Sequence, residues 1–206
     1  VNMVSGYLAP TSGSIVFEGV ELVGKAPREV THTGISRSFQ VSQVFHTMTV
    51  AENLMIALAI AENRGSQSLR VMDTPELREK CDAVLKRYNL DIHRDATVSA
   101  LAQGVRKLLD IAMAVVSKPK ILLLDEPTSG ISVEEKFDFM DVVMSALKED
   151  KVTVLFVEHD MEIVERYVSR VLAFYQGEII ADMPPKKALA DKKVQEFVIG
   201  KEHHKK

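Results

Sequence analysis

Residues 120–127 read KILLLDEP: four consecutive large apolar residues that end in two acids and a proline. A run with no polar side chain on either parity leaves no face for water. It predicts a strand covered on both faces, and such strands belong to parallel sheets. VTVLFVEH at 152–159 is a second run of this kind. Between them, residues 133–149 predict a helix with Phe137, Met140, Met144 and Leu147 inward, the methionines as core filling. Strand, helix, strand is the rhythm of an α/β fold.

Short hairpins flank this core. SIVFEGVELVG at 14–24 predicts two strands split at Glu18-Gly19. RVLAFY at 170–175 and GEIIAD at 177–182 pair across Gln176-Gly177. The opening VNMVSGYLAPTSGSI reads as a helix ending at Gly6, followed by a turn. By contrast, 41–117 shows little strand signal and predicts a helical insert. Within it, Thr74 is an N-cap with Pro75 at the first helical position, and Leu77, Cys81, Val84, Leu85 and Tyr88 recur at helical spacing. Residues 104–117 predict another helix, with Leu108, Leu109, Ala112 and Val116 on one side. The expected organisation is a core of 1–40 and 118–182, a helical subdomain of 41–117, and a C-terminal helix with a basic tail over 183–206.

Composition excludes several functions. The 206 residues carry a formal charge of −3 with both signs interspersed, so a nucleic-acid surface is not expected. The single cysteine, Cys81, cannot form an internal disulfide and reads as core filling, and it fits a reducing compartment. The longest clean apolar run is LMIALAIA at 54–61, far short of the roughly 20 residues a membrane span needs. The chain is expected to be soluble by itself, with any membrane link made through a partner. The ending GKEHHKK reads as a solvated tail.

Four features carry chemistry. Asp125 and Glu126 follow the apolar strand directly, at the carboxyl edge where open parallel sheets bind ligands. One acid there could hold Mg²⁺ while its neighbour polarises a water; the bland alternative is a pair capping the next helix. His159 ends the second apolar run and falls on the same edge, to contact a terminal phosphate or only to neighbour a helix cap. Gln40 follows the strand-like GISRSF where the helical insert begins, and its amide could reach a metal or water. Gly104 opens an amphipathic helix within SALAQGVRKLLDIAMA, 99–114, and helix N-termini bind anions. Alone, a histidine, a glutamine or a glycine says little.

In this order, the four resemble the ATP-binding subunit of ATP-binding-cassette (ABC) transporters, and the resemblance covers nearly the whole chain. Gln40 matches that family's Q-loop, and LAQGV at 101–105 stands where its LSGGQ signature stands. ILLLDEP matches Walker B with the catalytic glutamate, and His159 matches the switch histidine. GISRSFQVSQVFHTMTVAENLMIAL, DEPTSGIS and VEHDMEIV are similar to the subgroup importing branched-chain and other hydrophobic amino acids. Urea importers and lipopolysaccharide-export ATPases resemble it less closely.

The resemblance implies a P-loop NTPase fold, a mostly parallel sheet with a helical subdomain, and ATP with Mg²⁺ as ligands. It implies that Asp125 and Gln40 serve the metal, Glu126 is the base and His159 holds the γ-phosphate. Ala102, Gln103 and Gly104 would complete the site of a second ATPase subunit, in a homo- or heterodimer. Residues 41–60 would receive transmembrane permease subunits, which would keep the protein peripheral on the cytoplasmic face of the cell membrane. In this family a P-loop, G-x-x-x-x-G-K-[ST], directly precedes NMVSGYLAPTSGSI, so the chain reads as N-terminally truncated; GKAPRE at 24–29 lacks the pattern and comes after a hairpin. A non-catalytic partner module is the rival expectation for the chain as it stands. The signature also departs from LSGGQ at Ala102, Gln103 and Val105, and Ser132 takes the place of the D-loop aspartate.

Overall fold

The chain starts with one helical turn. Ser5 N–H donates to the Val1 carbonyl at 3.1 Å, and Tyr7 N–H to that of Asn2 at 2.9 Å. Gly6, at φ +78°, makes the left-handed reversal between them, the glycine-closed helix end that the sequence predicts. A Cβ there would sit 2.9 Å from the Lys25 carbonyl, so space as well as φ demands glycine. This is a computed structural model that describes residues 1–38, 43–62 and 74–200. The chain divides into two compact units, Val1–Val157 and Glu158–Lys206.

In the first unit, β1 (Val16–Phe17) and β2 (Val20–Glu21) form the expected antiparallel hairpin. Helix α1 (Pro27–His32) leads into β3 (Ile35–Ser38). Helices α2 (Val50–Ala61) and α3 (Pro75–Arg87) pack on each other. Each is capped by a threonine: Thr49 Oγ1 accepts from Glu52 N–H and Thr74 Oγ1 from Leu77 N–H, both at 3.2 Å. The Glu52 carboxylate returns a 2.7 Å bond to the Thr49 N–H, closing a capping box. That backbone bond, helped by the Thr49 hydroxyl, holds the Glu52 carboxyl below its ordinary range. Buried Asn53 ties the preceding loop down, accepting from Phe45 N–H at 2.7 Å and donating to the Phe45 and Thr49 carbonyls.

After short 3₁₀ turns at Asp91–His93 and Val98–Ala100 comes α4 (Gln103–Val115). Its buried set corrects the sequence reading: Lys107, Leu109, Asp110, Ile111, Ala112 and Val115 are inside, whereas Leu108 and Val116 are half-buried. The helix is enclosed on more than one side, by α2, β3 and α5 (Lys136–Glu149). In α5 the inward residues are Phe139, Met140, Val143, Ala146 and Leu147; the expected Phe137 and Met144 are only half-buried.

β4 (Ile121–Asp125) lies between β3 and β5 (Thr153–Val157), and both pairings are parallel. Leu122, Leu123 and Leu124 are at most 1% exposed, so β4 is covered on both faces as its sequence requires. On one face Leu123 joins Leu22, Val30 and Ile35, with Val1, Val4, Ile15, Phe17 and Ile121 against them. β5 departs from the expectation of burial on both faces. It pairs with β4 alone among the described residues, and Leu155 and Val157 remain 44% and 37% exposed. Its apolar run is that of a buried strand, but its place is an edge.

The second unit holds α6 (Met161–Tyr167), capped by Asp160, which accepts from the Glu162 and Ile163 N–H groups. β6 (Val171–Tyr175) and β7 (Glu178–Met183) form the predicted hairpin. Gln176 and Gly177 both take positive φ, +49° and +85°, the twist that suits a two-residue hairpin loop. Arg170 grips Asp182 with two 2.6 Å bonds across this pair. α7 (Pro185–Ala190), α8 (Lys192–Val194) and a π-helical turn at Gln195–Ile199 follow. Ala173, Ala181 and Val194 are the local core. The expected basic tail falls at 201–206, outside the described residues. No described helix is long and apolar enough to cross a membrane.

Two buried side chains of α3 and its cap carry polar atoms. Cys81 is fully buried, its Sγ–H 3.7 Å from the Ala51 carbonyl. Burial pushes the thiol up to about 11, with Asp82 adding to the shift, as suits a core filler. Tyr88 is 1% exposed, and its hydroxyl has no hydrogen-bond partner among the described residues. An orphaned buried hydroxyl costs free energy. Tyr88→Phe is therefore expected to raise unfolding free energy by about 1 kcal/mol in urea titration; a loss of that size would show that the hydroxyl is satisfied.

Candidate active site

The end of β4 is where the chemistry-bearing residues collect. The strand is straight and apolar through Leu124; Asp125 is its last residue and pairs with Val157 in β5. Glu126 follows in the left-handed region at φ +48°. A non-glycine residue held there costs on the order of 1–3 kcal/mol and persists only where its surroundings fix it. Here the Glu126 N–H donates to the Val157 carbonyl at 3.0 Å, and its own carbonyl accepts from Ser129 N–H at 3.1 Å. The reversal stops the strand and turns the backbone away from the sheet.

Arg37 of β3 reaches Asp125. Its Nη2 donates to Asp125 Oδ2 at 2.8 Å, with the two side chains 11% and 28% exposed. Its Nη1 donates to Asn2 Oδ1 at 2.7 Å and to Ser5 Oγ at 3.3 Å, and the guanidinium lies 5.6 Å from the centre of the Tyr7 ring. One arginine thus ties the opening helical turn to the acid at the strand end.

Helix α4 meets the same edge with one polar stripe, residues 103, 107 and 110. Gln103 Nε2 approaches the Ser129 carbonyl at 3.5 Å. Gly130 lies under it, at φ +75°, where a Cβ would sit 2.3 Å from Gln103 Nε2. Lys107, 4% exposed, donates from Nζ to the Glu126 carbonyl at 3.0 Å and the Pro127 carbonyl at 3.1 Å. Asp110, 6% exposed, accepts from Ser38 Oγ and, at 2.8 Å, from Gln43 N–H.

Of the residues predicted from sequence, Asp125 and Glu126 stand together, and Gln103 is brought to the loop that follows them. Ala102 is the N-cap of α4, without a side-chain bond, and Ala102 and Gln103 are exposed. Gly104 is half-buried with open space where a Cβ would point. His159 belongs to the second unit; it is exposed, and its N–H donates to Glu158 Oε2 at 3.2 Å. Gln40 lies outside the described residues. Sequence reasoning missed Arg37, Lys107 and Asp110. A lysine and an aspartate three apart, set among Leu108, Leu109 and Ile111, were the visible signal for the latter two.

Among the described residues no group of three or more His, Cys, Asp or Glu side chains could hold a metal ion. A self-contained metal cage is therefore not what this edge offers. Mg²⁺ is commonly held by one or two carboxylates together with waters and substrate phosphates. Asp125 fits that mode: Arg37 engages Oδ2, and Oδ1 has no protein donor among the described residues.

Residues 1–129 match the family profile described as "ABC transporter". The chain is 32% identical over 211 residues to the "Probable branched-chain amino acid transport ATP-binding protein LivG" of Methanocaldococcus jannaschii, covering 97% of this chain and 80% of that protein. It is 31% identical over 191 residues to the "High-affinity branched-chain amino acid transport ATP-binding protein BraF" of Pseudomonas aeruginosa, covering 89% and 74%. Its fold matches the crystal structure of the ADP conformation of an ATP-binding cassette of an ABC transporter. The TM-score is 0.80 and the identity 31%, over 97% of this chain and 82% of that one.

The Arg37–Asp125 pair is mostly shielded from water, so the two side chains are expected to be energetically coupled. A double-mutant cycle with Arg37→Met and Asp125→Asn, read by urea unfolding, is expected to give a coupling of about 1–3 kcal/mol. Additive effects of the two changes would show that the pair contributes nothing.

Proposed function

This chain belongs to the ABC transporter family, whose ATP-binding subunits hydrolyse ATP to power transport, and on that premise we propose that it serves an importer of branched-chain amino acids. The relatives named for branched-chain amino acid transport support the cargo class. The observation that carries the catalytic part is the pair Asp125 and Glu126 at the carboxyl end of a fully buried parallel strand, with Glu126 turned out of the sheet by its positive φ.

In this reading Asp125 would hold Mg²⁺ through its carboxylate. The metal, when bound, supplies charge neutralisation at the phosphate oxygens. Glu126 accepts a proton from, or orients, the attacking water. By the family's pattern, Gln40 would serve the metal and His159 the γ-phosphate. The exposed turn Ala102–Gly104 presents the free N–H groups of the α4 terminus to the nucleotide of a second ATPase subunit. Permease subunits in the membrane receive the motion, which makes the protein peripheral at the cytoplasmic face.

Phosphate binding within these 206 residues is a separate matter. The run Gly19–Lys25 has the spacing G-x-x-x-x-G-K, but Ala26 follows in place of Ser or Thr. Its first residues also form the β1–β2 turn and β2. Titration calorimetry of the 206-residue chain with Mg-ATP is therefore expected to show no micromolar binding; a micromolar dissociation constant would overturn this.

The roles of the two acids separate in the protein as it occurs in the cell. Glu126→Gln is nearly isosteric and is expected to keep Mg-ATP binding while hydrolysis falls by about 10²–10⁴-fold. Asp125→Asn is expected to weaken Mg-ATP binding itself. If both variants hydrolyse ATP at the parent rate, the acids are a structural pair and the assignment is wrong.

A further inference from the structure

We infer that Lys107 is a positioning residue for Glu126: its buried ammonium clamps the strand-end loop to α4 through two consecutive carbonyls. This rests on the reading of Glu126 as the group that handles the attacking water.

Three observations lead here. Lysine is almost never fully buried unless its charge is satisfied, yet Lys107 is 4% exposed in the second turn of α4. Its Nζ lies 3.0 Å from the Glu126 carbonyl and 3.1 Å from the Pro127 carbonyl. The first of those carbonyls belongs to Glu126, the residue held left-handed at φ +48°. The strained φ and the buried cation thus meet at one residue. Charge-assisted bonds from the ammonium to this segment help offset the cost of the left-handed backbone.

One turn earlier on the same face, Gln103 approaches the Ser129 carbonyl and packs on Gly130. The first two turns of α4 and the segment 126–130 are thereby linked at two points. Displacement of the α4 N-terminus would be transmitted to the Glu126 backbone, and through it to the carboxylate.

Amide hydrogen exchange by NMR tests the clamp on the chain itself. In Lys107→Met the side chain keeps its apolar length and loses both bonds. Exchange at the Glu126 and Ser129 amides is expected to rise by at least about tenfold, with the amides of Leu122–Leu124 keeping their protection. Lys107→Arg, which can donate to both carbonyls, is expected to restore the slow rates. A merely structural lysine would instead speed exchange throughout β4. That result, or unchanged rates at Glu126 and Ser129, overturns the clamp.

ATP turnover in the protein as it occurs in the cell tests the connection to Glu126. Lys107→Met is expected to lower kcat by about 10–100-fold with KM for ATP nearly unchanged, and to add less than about twofold on a Glu126→Gln background. An undiminished further loss on that background would mean that Lys107 acts elsewhere, and the positioning role falls. If Glu126→Gln alone keeps the parent rate, the reading of Glu126 falls instead, and the exchange data still decide the clamp.

Discussion

The parallel hydrogen bonding of β4 to a strand on each side is the constraint from which the first unit follows. A strand without a polar side chain must be covered on both faces, and Leu122, Leu123 and Leu124 are. Apolar burial of this kind is worth roughly 1.5–3 kcal/mol per large side chain, enough to fix β4 in the centre. Once it is fixed, the first polar residues after it can lie only at the sheet's carboxyl edge. Asp125 is still in register with Val157, and Glu126 N–H still bonds the Val157 carbonyl. The acids are thus placed by the ladder rather than by their own interactions, and a slip of one residue would put Leu124 where Asp125 stands.

Helix α4 uses a different kind of restraint. An apolar face alone would let the helix slide or rotate with little penalty. Lys107 and Asp110 remove that freedom, because each is buried and each has its acceptors or donors at one place: the Glu126 and Pro127 carbonyls, and Ser38 with Gln43. Rotation by one residue would leave a buried ammonium and a buried carboxylate without these partners, which costs several kcal/mol for each. Buried charges of this kind contribute little net stability. Their effect is to specify a single register for α4 against the ends of β3 and β4.

Local chemistry made much of the fold legible in the sequence. Gly6, Thr74, Glu18-Gly19 and Gln176-Gly177 act within a few residues of themselves, through φ, a side-chain cap or a two-residue turn, and each does in the structure what its type implies. The acids at the strand end were legible for the same reason. What sequence could not give depends on partners far away in the chain. VTVLFV has the composition of a covered strand, but its exposure is decided by what lies beside it, and among the described residues β5 is an edge. Arg37 read as part of a strand-like run; its meaning comes from Asp125, 88 residues on. Lys107 could be placed on the helix from its spacing, but its acceptors lie in another element.

Arg37 also bears on how the site would accept a cation. A guanidinium and a divalent ion both seek the same carboxylate, and they repel each other. If Mg²⁺ displaced Arg37 outright, a side chain only 11% exposed would lose an acceptor, which is unfavourable. Arg37 has other anchors, Asn2 Oδ1, Ser5 Oγ and the Tyr7 ring, so it is held in place whether or not Asp125 turns. The arrangement therefore leaves Oδ1 as the oxygen that would meet a cation, with Arg37 on Oδ2. Mg²⁺ dehydrates reluctantly and suits such a shared carboxylate. The consequence is geometric: with Oδ2 held by β3, Asp125 has one oxygen left for a ligand. The opening turn of the chain, through Asn2 and Ser5, helps set the carboxylate's orientation.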